Sequence, residues 1–246
     1  MELSLREKGF EKKSQQCGRM NITCISDLHG FYPTLPGGDL LIVAGDCSRD
    51  NKISSWADFF DWFEAQKYRK KILVAGNHDD FAESFCTQDD PIYDTFPRPS
   101  FFYLCDSGTE FEGLKIWGMP WTTRFKGMNP RCTAFTVEQE KELEAKISLI
   151  PGDVDILVTH GPAYGVLDEV CDYWSGDIES KGSLCLRKWL ESCEKGPLLH
   201  VFGHIHEGYG REKIIPKKDG TYIISVNASH VNELYKPVNN PVTVVL

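Results

Sequence analysis

The sequence predicts an α/β fold with a largely parallel sheet, and three observations predict it. Apolar runs of strand length recur along the chain, a helix-like segment falls between two of them, and five of the runs close on Asp, Asn or His. The bulk numbers suit such a fold: 246 residues, 41% hydrophobic, 26% charged and a mean hydropathy of -0.32. A globular domain of that size buries roughly 70–75% of its unfolded surface, so a sizeable core is available.

Residues 1–20 are polar and charge-rich and read as an N-terminal tail, with one domain over 21–246. The first expected strand is Asn21-Ile22-Thr23-Cys24-Ile25, which closes on Asp27 and His29. Leu40 to Ala44 is the second, closing on Gly45-Asp46. Ile53, Trp56, Phe59, Phe60 and Phe63 then recur on one helical face, as core aromatics do. Lys71 to Ala75 is the third strand, closed by Gly76-Asn77-His78-Asp79. Strand, helix and strand in that order predict a right-handed β-α-β unit.

The stretch from Pro91 to Pro99 is proline-rich and reads as irregular. Phe101 to Leu104 and Leu114 to Gly118 flank the turn-like Asp106-Ser107-Gly108 and Glu112-Gly113 and fit short antiparallel strands. Thr136-Val137-Glu138-Gln139 has the form of a capping box, opening a helix to about Ser148. Val154 to Thr159 is a strand that closes on His160-Gly161-Pro162. A second helix is expected from Leu184 to Cys193, with Trp189 and Leu190 inward. The run Leu198 to Phe202 is broken by Gly203, and His204 and His206 follow with one residue between them. Arg211 to Ile215 and Thr221 to Val226 form a plausible hairpin around Lys217-Lys218-Asp219-Gly220, and Pro241 to Leu246 supplies a last strand.

Composition narrows the function classes. A net charge of -9 argues against nucleic acid or an anionic membrane as the main partner, because phosphate backbones call for a basic surface. A small phosphorylated substrate stays open. The nine cysteines are scattered without a C-x-x-C pair, which predicts no disulfide framework and no structural zinc knot. No apolar h-region follows Met1 and no run approaches membrane-spanning length, so the expectation is a reduced, cytoplasmic protein.

The strand ends carry the chemistry. Asp27, His29, Asp46, Asn77, His78, His160, His204 and His206 all follow apolar runs, and open α/β sheets gather ligands beyond the carboxyl ends of their strands. Singly each has an ordinary reading: Asp46 as a turn residue, Asn77 as a helix cap, His160 as a satisfied histidine. Five coincidences at one topological position point instead to a shared site. Imidazole, carboxylate and amide oxygen suit a pair of first-row divalent ions, Mn²⁺ first, with Fe or Zn²⁺ as alternatives. Two cations held close need a carboxylate between them, and Asp46 is the natural bridge.

Taken in order, Asp27-x-His29, Gly45-Asp46, Gly76-Asn77-His78-Asp79, His160 and Gly203-His204-x-His206 resemble the calcineurin-like metallophosphoesterase superfamily. Thr159-His160-Gly161-Pro162, the run Gly203 to Gly210 and Val226-Asn227-Ala228-Ser229 look most like its metallophosphoesterase-domain-containing proteins, related to class III cyclic nucleotide phosphodiesterases. The resemblance implies a four-layer αββα sandwich with mixed sheets. It also implies that Asp27, His29 and His206 hold one ion, Asn77, His160 and His204 the other, with Asp46 between. A hydroxide held by the metals would attack phosphorus in line, and His78, spare to metal binding, would be the catalytic residue that donates to the leaving oxygen or the phosphate. The implied substrate is a small phosphodiester, with cyclic nucleotides among the candidates. The alternative is a low-activity scaffold that keeps the fold while binding a nucleotide or a protein.

Two departures qualify the resemblance. Related phosphatases carry Gly-Asp-x-x-Asp, whose second Asp orients the catalytic histidine, whereas here Arg49 stands at that place and Asp50 follows. Asp79 replaces the Glu of protein phosphatases, which weighs against that activity. Elsewhere, His200 is expected to pack in the sheet, and Trp117, Trp121, Arg124, Tyr173, Trp174 and Tyr209 are candidates for a pocket wall. Oligomeric state has no signal.

Overall fold

The computed structural model describes residues 19–86, 100–124, 129, 132–171, 175–216 and 222–246, and the side chains of 213–216 are not described. Most of the expected tail, the stretch 91–99, Tyr173, Trp174 and the turn at 217–220 lie outside the described residues.

Two sheets carry the architecture. In the first, β1 (Asn21–Ile25), β2 (Gly38–Ala44), β3 (Tyr68–Val74) and β4 (Phe102–Tyr103) run parallel, and β15 (Val242–Val245) adds antiparallel to β1 at the other edge. In the second, β6 (Leu114–Met119), β9 (Ile156–Thr159), β12 (Leu199–Phe202) and β14 (Tyr222–Asn227) run parallel. Its edges are the antiparallel strands β5 (Ser107–Phe111) and β13 (Gly210–Pro216). Both sheets are therefore mixed, with parallel centres and antiparallel rims.

Alternation along each strand sorts its side chains between two cores. Ile22, Cys24, Leu40, Ile42, Ile72 and Val74 face Ile116, Ile156, Val158, Val201 and Val226 in one cluster between the sheets. The next residues over, Ile25, Leu41, Val43 and Leu73, face outward onto Trp56, Phe59 and Phe63 of α1 (Ile53–Glu64). On the far side, Leu157, Phe202 and Ile223 pack against Leu143 and Ile147 of α3 (Glu140–Ile147) and Leu186 and Leu190 of α4 (Leu184–Ser192). Three cores in series make four layers, αββα. No helix among the described residues is long and apolar enough to cross a membrane.

Lys71, buried on β3, shows how sheet and helix are locked. Its ammonium donates to the carbonyls of Phe63 and Glu64, both at 3.0 Å, and so sets a positive charge against the last carbonyls of α1.

Several expectations are corrected. Phe102–Tyr103 pairs parallel to β3 rather than antiparallel to a neighbour, and Ser107 and Gly108, expected in a turn, belong to β5. The helix after Thr136 begins only at Glu140: Thr136–Val137 forms β8, paired with β7 (Thr122–Thr123), and the Glu142 carboxylate accepts the N–H groups of Glu138 and Gln139. The capping box is real but sits three residues later, because the β7 ladder claims the first two residues. Trp189 and Leu190 both turn to the third core as expected, Leu190 buried and Trp189 half-buried. Two small elements had no sequence signal: the ribbon of β10 (Glu169–Cys171) with β11 (Ile178–Ser180), and α2 (Asp80–Glu83). Finally, Cys86 and Cys105 form a disulfide, with Cα atoms 5.9 Å apart, so the thiols are not all reduced. Cys86 follows α2 and Cys105 follows β4, and both elements sit beside the end of β3, a proximity that linear spacing hides.

Candidate metal centre

The loops after β1 and β2, and those after β9 and β12, are stitched together by main-chain bonds, and the loop after β3 joins that of β2 through the Asp46 and Asp79 carboxylates. The N–H of Asp27 donates to Gly45 (2.9 Å), that of His29 to Asp46 (3.0 Å) and that of Gly203 to His160 (2.9 Å). At these strand ends the chain must turn sharply to aim side chains into one space. Asp27, His29, Asp46 and His204 accordingly adopt left-handed φ values of 50°, 44°, 54° and 69°. Non-glycine residues seldom do so, and such strain persists where surrounding structure enforces it. Gly76 and Gly203 supply room: a Cβ at Gly76 would fall on the Asp46 carboxylate and one at Gly203 on that of Asp27.

Asp46 lies at the middle of the cluster. Its Oδ1 is 3.4 Å from His160 Nε2, while Oδ2 is 3.7 Å from His29 Nε2 and 3.9 Å from His78 Nε2. On one side His206 Nε2 stands 3.3 Å from Asp27 Oδ1, and on the other His160 Nε2 stands 2.9 Å from Asn77 Oδ1. The His160 and His204 rings meet at 5.0 Å. Three donor groups form compact sets: Asp27, His29 and His206; His29, Asp46 and His78; Asp27, Asp46 and His160. All eight residues singled out in the sequence are thus brought to one place.

The tautomers test whether cations fit. His160 Nδ1 is 2.9 Å from the Ala44 carbonyl and His206 Nδ1 is 3.1 Å from that of Asn232. A carbonyl only accepts, so each Nδ1 carries a proton, and whenever the ring is neutral its Nε2 presents a lone pair. Those lone pairs face other acceptors, Asn77 Oδ1 and Asp27 Oδ1. His29 Nε2, buried, has no hydrogen-bond partner. Acceptors converging on acceptors need positive charge between them, and the residues present fit divalent ions.

The electrostatics agree. Burial would push Asp27 and Asp46 up, yet the neighbouring histidines, His206 for the first and His160 for the second, hold both below the usual carboxylate range. Burial opposes a charged His160, but Asp46 and Asp27 lift it to about 9, and Asp27 likewise raises His206. The two carboxylates therefore draw positive charge onto the very nitrogens that face them. Burial pushes His29 down to about 4 and His204 to about 3, which keeps them neutral as ligands must be.

Sequence reasoning missed three neighbours. Asp79, fully buried below the ligands, accepts N–H bonds from Gly76 (2.8 Å) and Asp46 (2.9 Å) on Oδ2 and from Cys47 (3.1 Å) on Oδ1. Cys132 Sγ touches His78 Nδ1 at 3.3 Å. The Tyr235 ring packs edge-on against His29 and His206, with centroids 4.8 and 5.2 Å away. Asp79 follows directly on the Gly-Asn-His motif and was legible as part of it; Cys132 and Tyr235 follow no ligand motif. A cavity of about 200 Å³ opens onto the centre, lined by Asp46, Asn77, His78, His204, His206 and Tyr235, with Glu207 and Glu233 at its wall. Trp117, Trp121, Arg124 and Tyr209 do not line it; Trp121 instead donates to Asp106 and Tyr209 to Asn240. His200 packs in β12, bonded to Thr159.

Residues 20–208 match the calcineurin-like phosphoesterase family. The chain is 34% identical over 252 aligned positions to metallophosphoesterase domain-containing protein 1 of Homo sapiens, covering 93% of this chain and 72% of that protein, and matches its Mus musculus counterpart equally. A UPF0046 protein of Caenorhabditis elegans is 29% identical over 240 positions, covering 89% of this chain and 80% of its own. One solved structure superposes with a TM-score of 0.60 at 15% identity, over 85% of this chain and 90% of the other, a likeness of fold.

Proposed function

Because the chain belongs to the calcineurin-like phosphoesterase family, we propose that it is a dinuclear, metal-dependent phosphodiesterase acting on small phosphodiesters, cyclic nucleotides among them. The observation that carries this reading is Asp46, whose two oxygens each face a separate set of donors. Asp27, His29 and His206 would hold one ion and Asn77, His160 and His204 the other, with Mn²⁺ assigned first and Fe or Zn²⁺ as alternatives. Such ions supply Lewis-acid polarisation of the phosphoryl oxygens and bring the pKa of bound water towards about 7.

The chain's own residues do the rest. Ala44 and Asn232 carbonyls fix the tautomers of His160 and His206, so their Nε2 atoms need no reorganisation. His78, whose Nε2 is 3.9 Å from Asp46 and whose ring lines the cavity, would donate to a phosphoryl or leaving oxygen there. The small cavity suits a compact ester, and the acidic Glu207 and Glu233 disfavour polyanionic ligands such as nucleic acid.

The test is a substrate panel with metal analysis on the same sample. Metal-stripped protein should gain turnover of an aryl phosphodiester as Mn²⁺ is added, saturating near two ions per chain, and Asp46→Ala should abolish both binding and turnover. A flat response across Mn²⁺, Zn²⁺ and Fe²⁺, with mononucleotides bound tightly but unchanged, would overturn the reading in favour of a binding scaffold.

A further inference from the structure

Among the described residues no carboxylate meets His78 at Nδ1, the nitrogen turned away from Asp46. Arg49 stands where related phosphatases carry their second Asp. Asp50, the next residue, is turned away: it accepts from the Ser55 hydroxyl and from Lys52 at the start of α1. Asp79 spends both oxygens on main-chain N–H groups. The contact made by His78 Nδ1 is with Cys132 Sγ, at 3.3 Å.

That contact is built by the fold. Cys132 N–H donates to the Asn129 carbonyl (3.1 Å), and the next buried residues, Ala134 and Phe135, sit in the core beneath α1. Phe135 N–H donates to the Glu83 carboxylate at 2.9 Å, which fastens this segment to α2, the helix that begins two residues after His78. The histidine and the cysteine are therefore carried by elements tied to one another.

We propose that Cys132 is the positioning residue of His78: its thiol donates to Nδ1 and so keeps the ring's proton on Nε2, the nitrogen that faces the centre. Burial, with Asp46 adding to it, pushes the Cys132 thiol up to about 11, so it keeps the proton it must donate. The chemical consequence differs from that of a carboxylate partner. An Asp would accept from Nδ1–H, whereas a thiol that donates to Nδ1 leaves the ring's N–H on Nε2, aimed at the substrate.

The kinetic consequence rests on the phosphodiesterase reading, but the tautomer does not, and the experiment separates them. In Zn²⁺-loaded full-length protein labelled with ¹⁵N-histidine, long-range ¹H–¹⁵N spectra should show His78 as the Nε2–H tautomer in wild type and in Cys132→Ser, whose hydroxyl can still donate. Cys132→Ala should lose that single tautomer. A wild-type Nδ1–H ring, or an unchanged ring in Cys132→Ala, would overturn the proposal even if the protein turned over no ester. With an aryl phosphodiester, Cys132→Ala should lower kcat roughly tenfold with KM and metal content unchanged, and Cys132→Ser should recover most of it. In a His78→Ala background the same Cys132→Ala change should cost nothing further, because it acts through the missing ring. An equal loss in both backgrounds would assign Cys132 a merely structural role.

Discussion

Asp79 lies beneath the ligands, and its carboxylate accepts the N–H groups of Gly76, Asp46 and Cys47. It joins the loop after β2 to the loop after β3, and so sets the distance between Asp46 and Asn77. Burial, helped by the nearby Asp46 carboxylate, pushes its own pKa up to about 7. Asp79→Asn keeps the shape but turns an amide N–H₂ towards groups that donate. We expect a loss of about 2 kcal/mol of stability, the scale of one buried hydrogen-bonding group left unmatched, together with weaker metal binding. Urea unfolding and metal titration of the variant check this; a variant as stable and as tightly loaded as wild type would show that the three bonds do not hold the loops. At this scale the ligand types were legible because each sits on a short motif. Cys132 was not, because its meeting with His78 spans 54 residues of chain.

Elements were read well where their periodicity is long and poorly where pairing competes. α1 repeats aromatics over three turns, and of its expected face Trp56, Phe59 and Phe63 are buried and Phe60 half-buried, while Ile53, at the first helical position, is exposed. The helix after Thr136 was misplaced because a capping signal says nothing of the β7 strand that takes Thr136 and Val137 into a ladder. The Cys86–Cys105 bond also belongs to this scale, since it ties the end of α2 to the end of β4 across 19 residues. Closing a loop of about that length contributes roughly 3 kcal/mol through the unfolded chain. Cys105→Ser, or wild type in reductant, should therefore melt several degrees lower than the oxidised protein in the same buffer. Equal melting temperatures would mean the bridge does not form in solution or does not constrain unfolding.

For the whole molecule, the centre makes metal-free stability depend on pH. His29, held at about 4, and His200 and His204, held at about 3, are depressed by burial from an ordinary value of 6.5. Between pH 6.5 and 4 the unfolded chain binds protons at these three positions that the folded chain refuses, so acid should destabilise the fold. Asp79 works the other way: its folded pKa is raised from 3.8 to about 7, so its contribution is greatest in acid and is lost as pH rises through about 7. His160 and His206, raised above 6.5, also favour the fold in acid, but nearly all of their contribution is already present at pH 6.5, so the three depressed imidazoles outweigh them and Asp79 and predict a net fall in unfolding free energy from pH 6.5 to 4.5, measurable by urea titration in chelator; a flat or rising profile would contradict it. The sequence by itself determined the alternation of strands and helices, the parallel order of β1 to β3 and the donor residues of the centre, because these rest on local periodicity and on motifs a few residues long. Tertiary structure alone decided the placement of Asp46 among His29, His78 and His160, the support of Asp79, the Tyr235 wall, the disulfide and the Cys132–His78 contact. Each of these depends on distant loops packing together, and Gly203-His204-Ile205-His206 becomes a metal site only where the loops of two sheets close around it.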